Sequence, residues 1–214
     1  MDSFVWRRDV EDHSVKSAHF RLSSIPVMDE GYHLELDCYF ALKFVWKSLV
    51  PSKIQIFGWR LHFSKLQTKD ALVHRGVFIG AHDLVCPFCL RQEESHSHLF
   101  LLCPISMRVW YLTRAWLGLG GVPQCDSLLD HLLAWNIILK GRIKKNLCLL
   151  FWVSVSWATW LRRNHIIFKD GLKEAKDVFS LVKSLVWEWF GETCKFNVIA
   201  DFSVWASISV SCIV

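Results

Sequence analysis

Three cysteines and a histidine between residues 86 and 103 have the types and spacing of a metal site. Cys86 and Cys89 flank Pro87-Phe88, so one tight turn can aim both thiolates at a single point. Eight residues separate Cys89 from His98, and four separate His98 from Cys103. Zinc takes four soft or borderline ligands in a tetrahedron, and cysteine with histidine supplies them. A Cys-x-x-Cys pair alone also serves redox chemistry. The histidine and third cysteine that follow within seventeen residues of Cys86 favour a metal. His96 is close enough to stand in for His98. The gap to Cys103 favours His98, because it is the gap of short Cys-Cys-His-Cys knuckles, and His96 stays open as the alternative. The competing reading is a set of buried thiols with a core histidine. Four protein ligands leave no open position for water, so a zinc held this way is structural rather than catalytic.

The elements around these residues must bring them together. His98 and Cys103 lie five positions apart, about a turn and a half of α-helix. A helix capped by Ser97 must therefore bend or end near Pro104, a residue suited to opening a fresh helix. Apolar spacing predicts a helix from Tyr39 to Leu49, and another after Pro51 through Ile54, Phe57, Leu61 and Lys65. Thr68 caps a short helix over Asp70 to His74, ended by Gly76. Trp110, Leu112 and Trp116 continue an apolar face. Asp126 or Ser127 starts a helix through Trp135. Lys144 to Phe168 reads as a long buried helix with a polar end at Arg162-Arg163-Asn164-His165, and Glu174 to Phe190 as an amphipathic one.

The chain has 214 residues, 52% of them hydrophobic, with twelve Trp and fifteen Phe. That is enough to bury a real core. Net charge is +5, unevenly spread: residues 1–37 carry −4 and residues 38–214 carry +9. A basic body suggests a polyanionic partner. Residues 41–75 hold Lys43, Lys47, Lys53, Arg60, Lys65, Lys69 and Arg75 against the single acid Asp70, interleaved with Trp46 and Trp59. This is the candidate surface for an RNA or DNA backbone with stacked bases. The bland alternative is a pair of amphipathic core helices with solvated lysines, because the aromatics sit at core spacing. The five cysteines outside the motif are scattered and odd in number, and Met1-Asp2-Ser3 leads into charged sequence rather than a secretory signal. A reducing intracellular compartment, nucleus or cytoplasm, is expected. The uncharged runs Leu147–Leu161 and Phe202–Val214 fall short of the roughly twenty residues a spanning helix needs. No membrane partner is expected.

Further motifs tie the segment to a family. Cys86-Pro87-x-Cys89, the acidic Glu93-Glu94, His98-Leu99-Phe100, Cys103-Pro104 and the closing Val109-Trp110 resemble the zinc-binding domain that follows reverse transcriptase in plant non-LTR retrotransposon proteins. Trp6, Ser14 to Ala18, Pro51-Ser52-Lys53, Phe57 to Leu61, Leu66 to Asp70 and Arg75-Gly76 fall in that family's order. Trp116-Leu117-Gly118, Trp160, Arg163-Asn164 and Phe168 resemble its downstream part, so the likeness covers roughly residues 4 to 170. It implies a nucleic-acid-binding module that assists a reverse transcriptase domain not in this chain. No polymerase Tyr-x-Asp-Asp, P-loop or nucleophile elbow is present in the sequence, so no enzymatic activity is expected. The alternative function is a protein-interaction or structural module, or an inactive relic of such a protein.

The expected architecture is mainly α, a small zinc-knuckle-like module packed among amphipathic helices, with a short N-terminal β element. The expected divisions are an N-terminal β and loop segment (1–37), the zinc-binding domain (38–120), a helical extension (121–195) and an apolar tail (196–214).

Overall fold

The structure is a computed structural model, and it describes residues 46, 50–77, 80, 84–137, 142–169, 174–193 and 201–207. The chain divides into two compact units, Met1–Leu36 and Asp37–Val214, and every described residue lies in the second. The expected N-terminal β element, most of the expected helix from Tyr39 to Leu49, and the side chains of Lys43 and Lys47 lie outside the described residues.

Seven α-helices are described: α1 (Ser52–His62), α2 (Lys69–His74), α3 (Pro104–Trp116), α4 (Leu128–Ile137), α5 (Arg142–Lys169), α6 (Ala175–Thr193) and α7 (Phe202–Ser207). A π-helical turn, His98–Leu102, precedes α3. The only β pairing among the described residues is an isolated antiparallel bridge between Val85 and Glu93. The fold is mainly helical, as the apolar spacing predicts.

The long uncharged run becomes the central element. From Cys148 to Ser156 every residue of α5 is buried, so the helix is apolar all round because neighbours cover every side. It packs against α1, the π turn, α3, α4 and α6. Its hydroxyls are satisfied inside the helix, Ser154 donating to the Leu150 carbonyl (2.7 Å) and Ser156 to that of Trp152 (3.0 Å). Among the described residues no helix is long and apolar enough to cross a membrane.

Local chemistry sets the helix ends. Ser127 Oγ accepts from Asp130 N (3.0 Å) and donates to Asp130 Oδ2 (2.6 Å), which fixes the start of α4. Gly76, at φ 75°, closes α2 in a Schellman turn, with Gly76 N on Val73 O and Val77 N on Leu72 O. Part of the apolar tail, Phe202–Ser207, is helical. Asp201 accepts from Ser203 N (2.8 Å) to cap α7, and Trp205 is buried edge-on against Trp116 with centroids 4.8 Å apart. A helix lets Trp205 and Ala206 dock together, and Lys183 Nζ donates to the Ala206 carbonyl (3.1 Å).

Candidate metal centre

The Cys86–Leu90 turn is closed by Leu90 N donating to Cys86 O (3.0 Å). Cys86 N on Gln92 O (2.7 Å) and Glu94 N on Leu84 O (2.8 Å) return the chain beside itself. Leu90 takes a left-handed conformation (φ 54°) to make the reversal. Both cysteines are thereby aimed to one side of a short hairpin.

The second pair of residues comes from the π turn. Cys103 N donates to His98 O (2.7 Å), an i to i+5 bond. This wide turn resolves the five-residue spacing, since it brings Cys103 back over His98 where an α-helix would carry it past. Cys103 then turns extended (ψ 130°) and Pro104 opens α3. Side chains of α3 hold the turn in place: Ser106 Oγ donates to Leu99 O (2.5 Å) and Trp110 Nε1 to Phe100 O (2.7 Å). The cap is Ser95 rather than Ser97, with Ser95 Oγ accepting from His98 N at 3.1 Å.

These two pieces converge. One ligand atom from each of Cys86, Cys89, His98 and Cys103 lies within 4.8 Å of all the others. Cys86 Sγ is 3.9 Å from Cys103 Sγ, and Cys89 Sγ is 3.3 Å from His98 Nε2. A tetrahedral zinc has S···S edges of about 3.8 Å and S···N edges of about 3.5 Å, given bond lengths near 2.3 and 2.0 Å. The donor set therefore fits such an ion. Cys86, Cys103 and His98 are buried and Cys89 is half-buried. The Cys86 thiol is pushed up by the hydrogen bond it donates to Cys103 and by burial, while the same bond holds Cys103 down. A cation bound between them would take the place of the Cys86 proton. Burial pushes the His98 ring down, keeping it in the neutral form that ligates metals.

His96 is turned elsewhere. Its Nδ1 is 3.1 Å from Thr68 Oγ1, and it is buried beside α2. Thr68 Oγ1 is also 2.5 Å from Asp70 Oδ1, so the threonine hydroxyl donates to the carboxylate and accepts from the His96 N–H. His98→Ala is accordingly expected to strip the metal at far lower chelator concentration than His96→Ala. The latter should keep its zinc and lose about 1 kcal/mol of stability with the Thr68 bond. Zinc retained on dialysis against graded chelator measures this, and the opposite ranking would move the ligand to His96.

A buried ion pair supports the hairpin, and spacing arguments do not find it. Glu94 is 0% exposed and its carboxylate accepts from Arg163 Nη2 (2.6 Å) and Nε (3.2 Å) on α5. The same carboxylate accepts from Lys69 N (3.0 Å) at the start of α2. The one sequence signal is that Arg163 continues the buried register of Trp152, Ser156 and Thr159, where a polar helix end was expected.

The basic residues are only partly gathered. Lys53, Arg60, Lys65 and Arg75 are exposed, whereas Lys69 is half-buried with Nζ donating to Val85 O at 2.9 Å. Trp46 and Trp59 are 51% and 39% exposed. The buried stripe of α1 is instead Ile54, Phe57, Gly58 and Leu61. Phe57 meets Trp157 of α5 edge-on with centroids 4.9 Å apart, which turns the Lys53, Ile56, Trp59 and Arg60 side outward.

A family model described as zinc-binding in reverse transcriptase matches residues 28–110. Searches of curated proteins and of solved structures found no match. The matched stretch contains all four converging residues and ends at Trp110, the residue that pins the π turn. Residues 28–110 of this chain thus match the model of the zinc-binding domain in reverse transcriptase, the likeness that the Cys-Cys-His-Cys motif suggests.

Proposed function

We propose that this chain is a structural-zinc module that binds single-stranded nucleic acid, RNA or DNA, in support of a reverse transcriptase domain outside it, and that it has no polymerase activity of its own. The ion is zinc, held by Cys86, Cys89, His98 and Cys103. With four protein donors the site is closed, so the metal serves the fold and not a reaction. One observation carries the nucleic-acid reading. Trp46 and Trp59 are exposed, and Trp59 stands on the same outward side of α1 as Lys53 and Arg60. Trp59 is flanked by Phe63 at 5.3 Å between centroids, so an aromatic platform and positive charge share one face. Bases stack on such platforms while cations track the backbone, and each stacked base contributes about 1 to 3 kcal/mol.

The same exposed face favours a second reading, a docking surface for a protein partner. Salt separates the two. Binding of a labelled single-stranded RNA to the zinc-loaded chain is expected to fall linearly in log–log against salt, by roughly 0.7 per neutralised phosphate. Trp59→Ala should weaken binding by about 1 to 3 kcal/mol at every salt concentration and leave that slope alone. A folded, zinc-loaded parent that does not bind RNA would give the face to a protein.

A further inference from the structure

A groove of about 380 Å³ lies beside the metal centre, between the turn after α1, the outer side of α2 and the segment that enters the π turn. Lys65, His74 and Arg75 line it on one side, Ser95 and Ser97 on the other. Its geometry is set by two helix ends. α1 closes in a Schellman turn, with Ser64 N on Leu61 O (3.1 Å) and Lys65 N on Arg60 O (2.7 Å). Ser64 takes the left-handed position (φ 51°) that usually needs glycine, and so sets Lys65 at the rim. The Lys65 carbonyl then accepts from two guanidinium groups, Arg60 Nη2 and Arg75 Nη2, at 3.4 Å each.

Three exposed cations are thus held together by backbone geometry. Among the described residues none of the three has an ion-pair partner. The groove's one acid, Asp70, already accepts from Thr68 Oγ1 and from Ala71 N (2.7 Å). Like charges gathered without a counter-charge repel one another, and an anion seated between them relieves that repulsion. Hydroxyl and guanidinium donors converging from two walls suit the several acceptor oxygens of a phosphate group. The volume exceeds that of one ordered water many times over, at about 30 Å³ each in the liquid, and admits a nucleotide-sized group.

We infer that this groove seats a phosphate of the bound single strand, on Lys65 and Arg75 with Arg60 at the entrance. The assignment rests on the nucleic-acid reading above and sharpens it. Arg60 follows Trp59 in sequence, so a base stacked on Trp59 leaves its neighbouring phosphate at the groove mouth. The far wall is tied to the candidate metal centre. Ser95 caps the turn that carries His98, so the wall is built only when that turn is formed.

The test compares Lys65→Gln/Arg75→Gln with the equal-charge control Lys169→Gln/Lys176→Gln, whose residues do not line the groove. Both are assayed as the zinc-loaded full chain, with zinc content and circular dichroism matched to the parent. Single-stranded RNA binding by the groove variant should lose about 1.4 from its log–log salt slope, which is roughly 25-fold in affinity near 0.1 M salt. The control should lose little. In parallel, inorganic phosphate should shift the His74 ring resonances of the parent and not those of the groove variant. RNA binding with an unchanged slope in the groove variant overturns the groove and leaves the nucleic-acid reading standing. A parent that ignores RNA but shows the phosphate-dependent His74 shift overturns the nucleic-acid reading and keeps the groove as a phosphate site. A parent that responds to neither removes both.

Discussion

Cys86→Ser is expected to yield a chain that holds no zinc and has lost its fixed tertiary packing around the π turn. The reason lies in how little local structure holds the hairpin that carries Cys86 and Cys89. One isolated β-bridge, a few backbone bonds and a strained Leu90 are a weak frame for a hairpin. Structural zinc sites contribute about 10 to 16 kcal/mol of apparent binding free energy. That is comparable to or larger than the roughly 5 to 15 kcal/mol by which domains are stable. The damage should spread, because Leu99, Phe100 and Leu101 of the π turn are core residues and Trp110 is pinned to the turn's carbonyl. Chelator added to the parent should do the same. Tryptophan fluorescence should shift toward that of exposed indole, and Cys86 and Cys103 should become reactive to thiol reagents. Zinc affinity should rise with pH, since the raised Cys86 thiol must give up its proton to bind. Elemental analysis finding no zinc, together with a melting curve indifferent to chelator, would sink the assignment.

The four converging residues of the candidate metal centre are legible in the sequence because their information is local. Residue type and spacing over eighteen positions suffice, and no distant contact has to be guessed. The π turn is legible only as a problem. Five positions between His98 and Cys103 demand a break in the α-helix, but periodicity does not say which kind. Trp46 and Trp59 show where spacing leaves two readings open. Trp59 follows Phe57 by two, close to the opposite side of a helix from it, which fits the surface reading, while aromatics at core spacing leave the buried reading open. In the tail, apolar composition alone sets no secondary structure, and the docking of Trp205 on Trp116 decides for a short helix. Glu94 and Arg163 are 69 residues apart, and no local pattern announces that one will bury against the other.

That pair carries the second large effect. Arg163→Met is expected to cost about 3 to 5 kcal/mol, since it strands a fully buried carboxylate with only the Lys69 N–H as a partner. Glu94→Gln should cost a similar amount. The amide keeps the shape but faces Arg163 with one acceptor oxygen in place of two, and leaves the guanidinium charge to Asn164 Oδ1 and the Trp160 ring. In a chain of this size each kcal/mol moves Tm by about 2 to 4 °C, so each single variant should melt roughly 6 to 20 °C lower. Zinc should also leave more readily, because the Glu94 backbone closes the hairpin through Leu84 O while its side chain fixes the hairpin to α5. The double variant Glu94→Leu/Arg163→Met removes both charges and should recover most of the loss, since the desolvation cost disappears with the pair. Its thermodynamic cycle should therefore show strong coupling between the two sites. Additive effects, or single variants within 1 kcal/mol of the parent, would mean the pair is solvated and not an anchor. Glu94 lies inside the matched stretch 28–110 and Arg163 well outside it. A recovery confined to the double variant would show that the candidate metal centre borrows its stability from a helix outside the matched stretch.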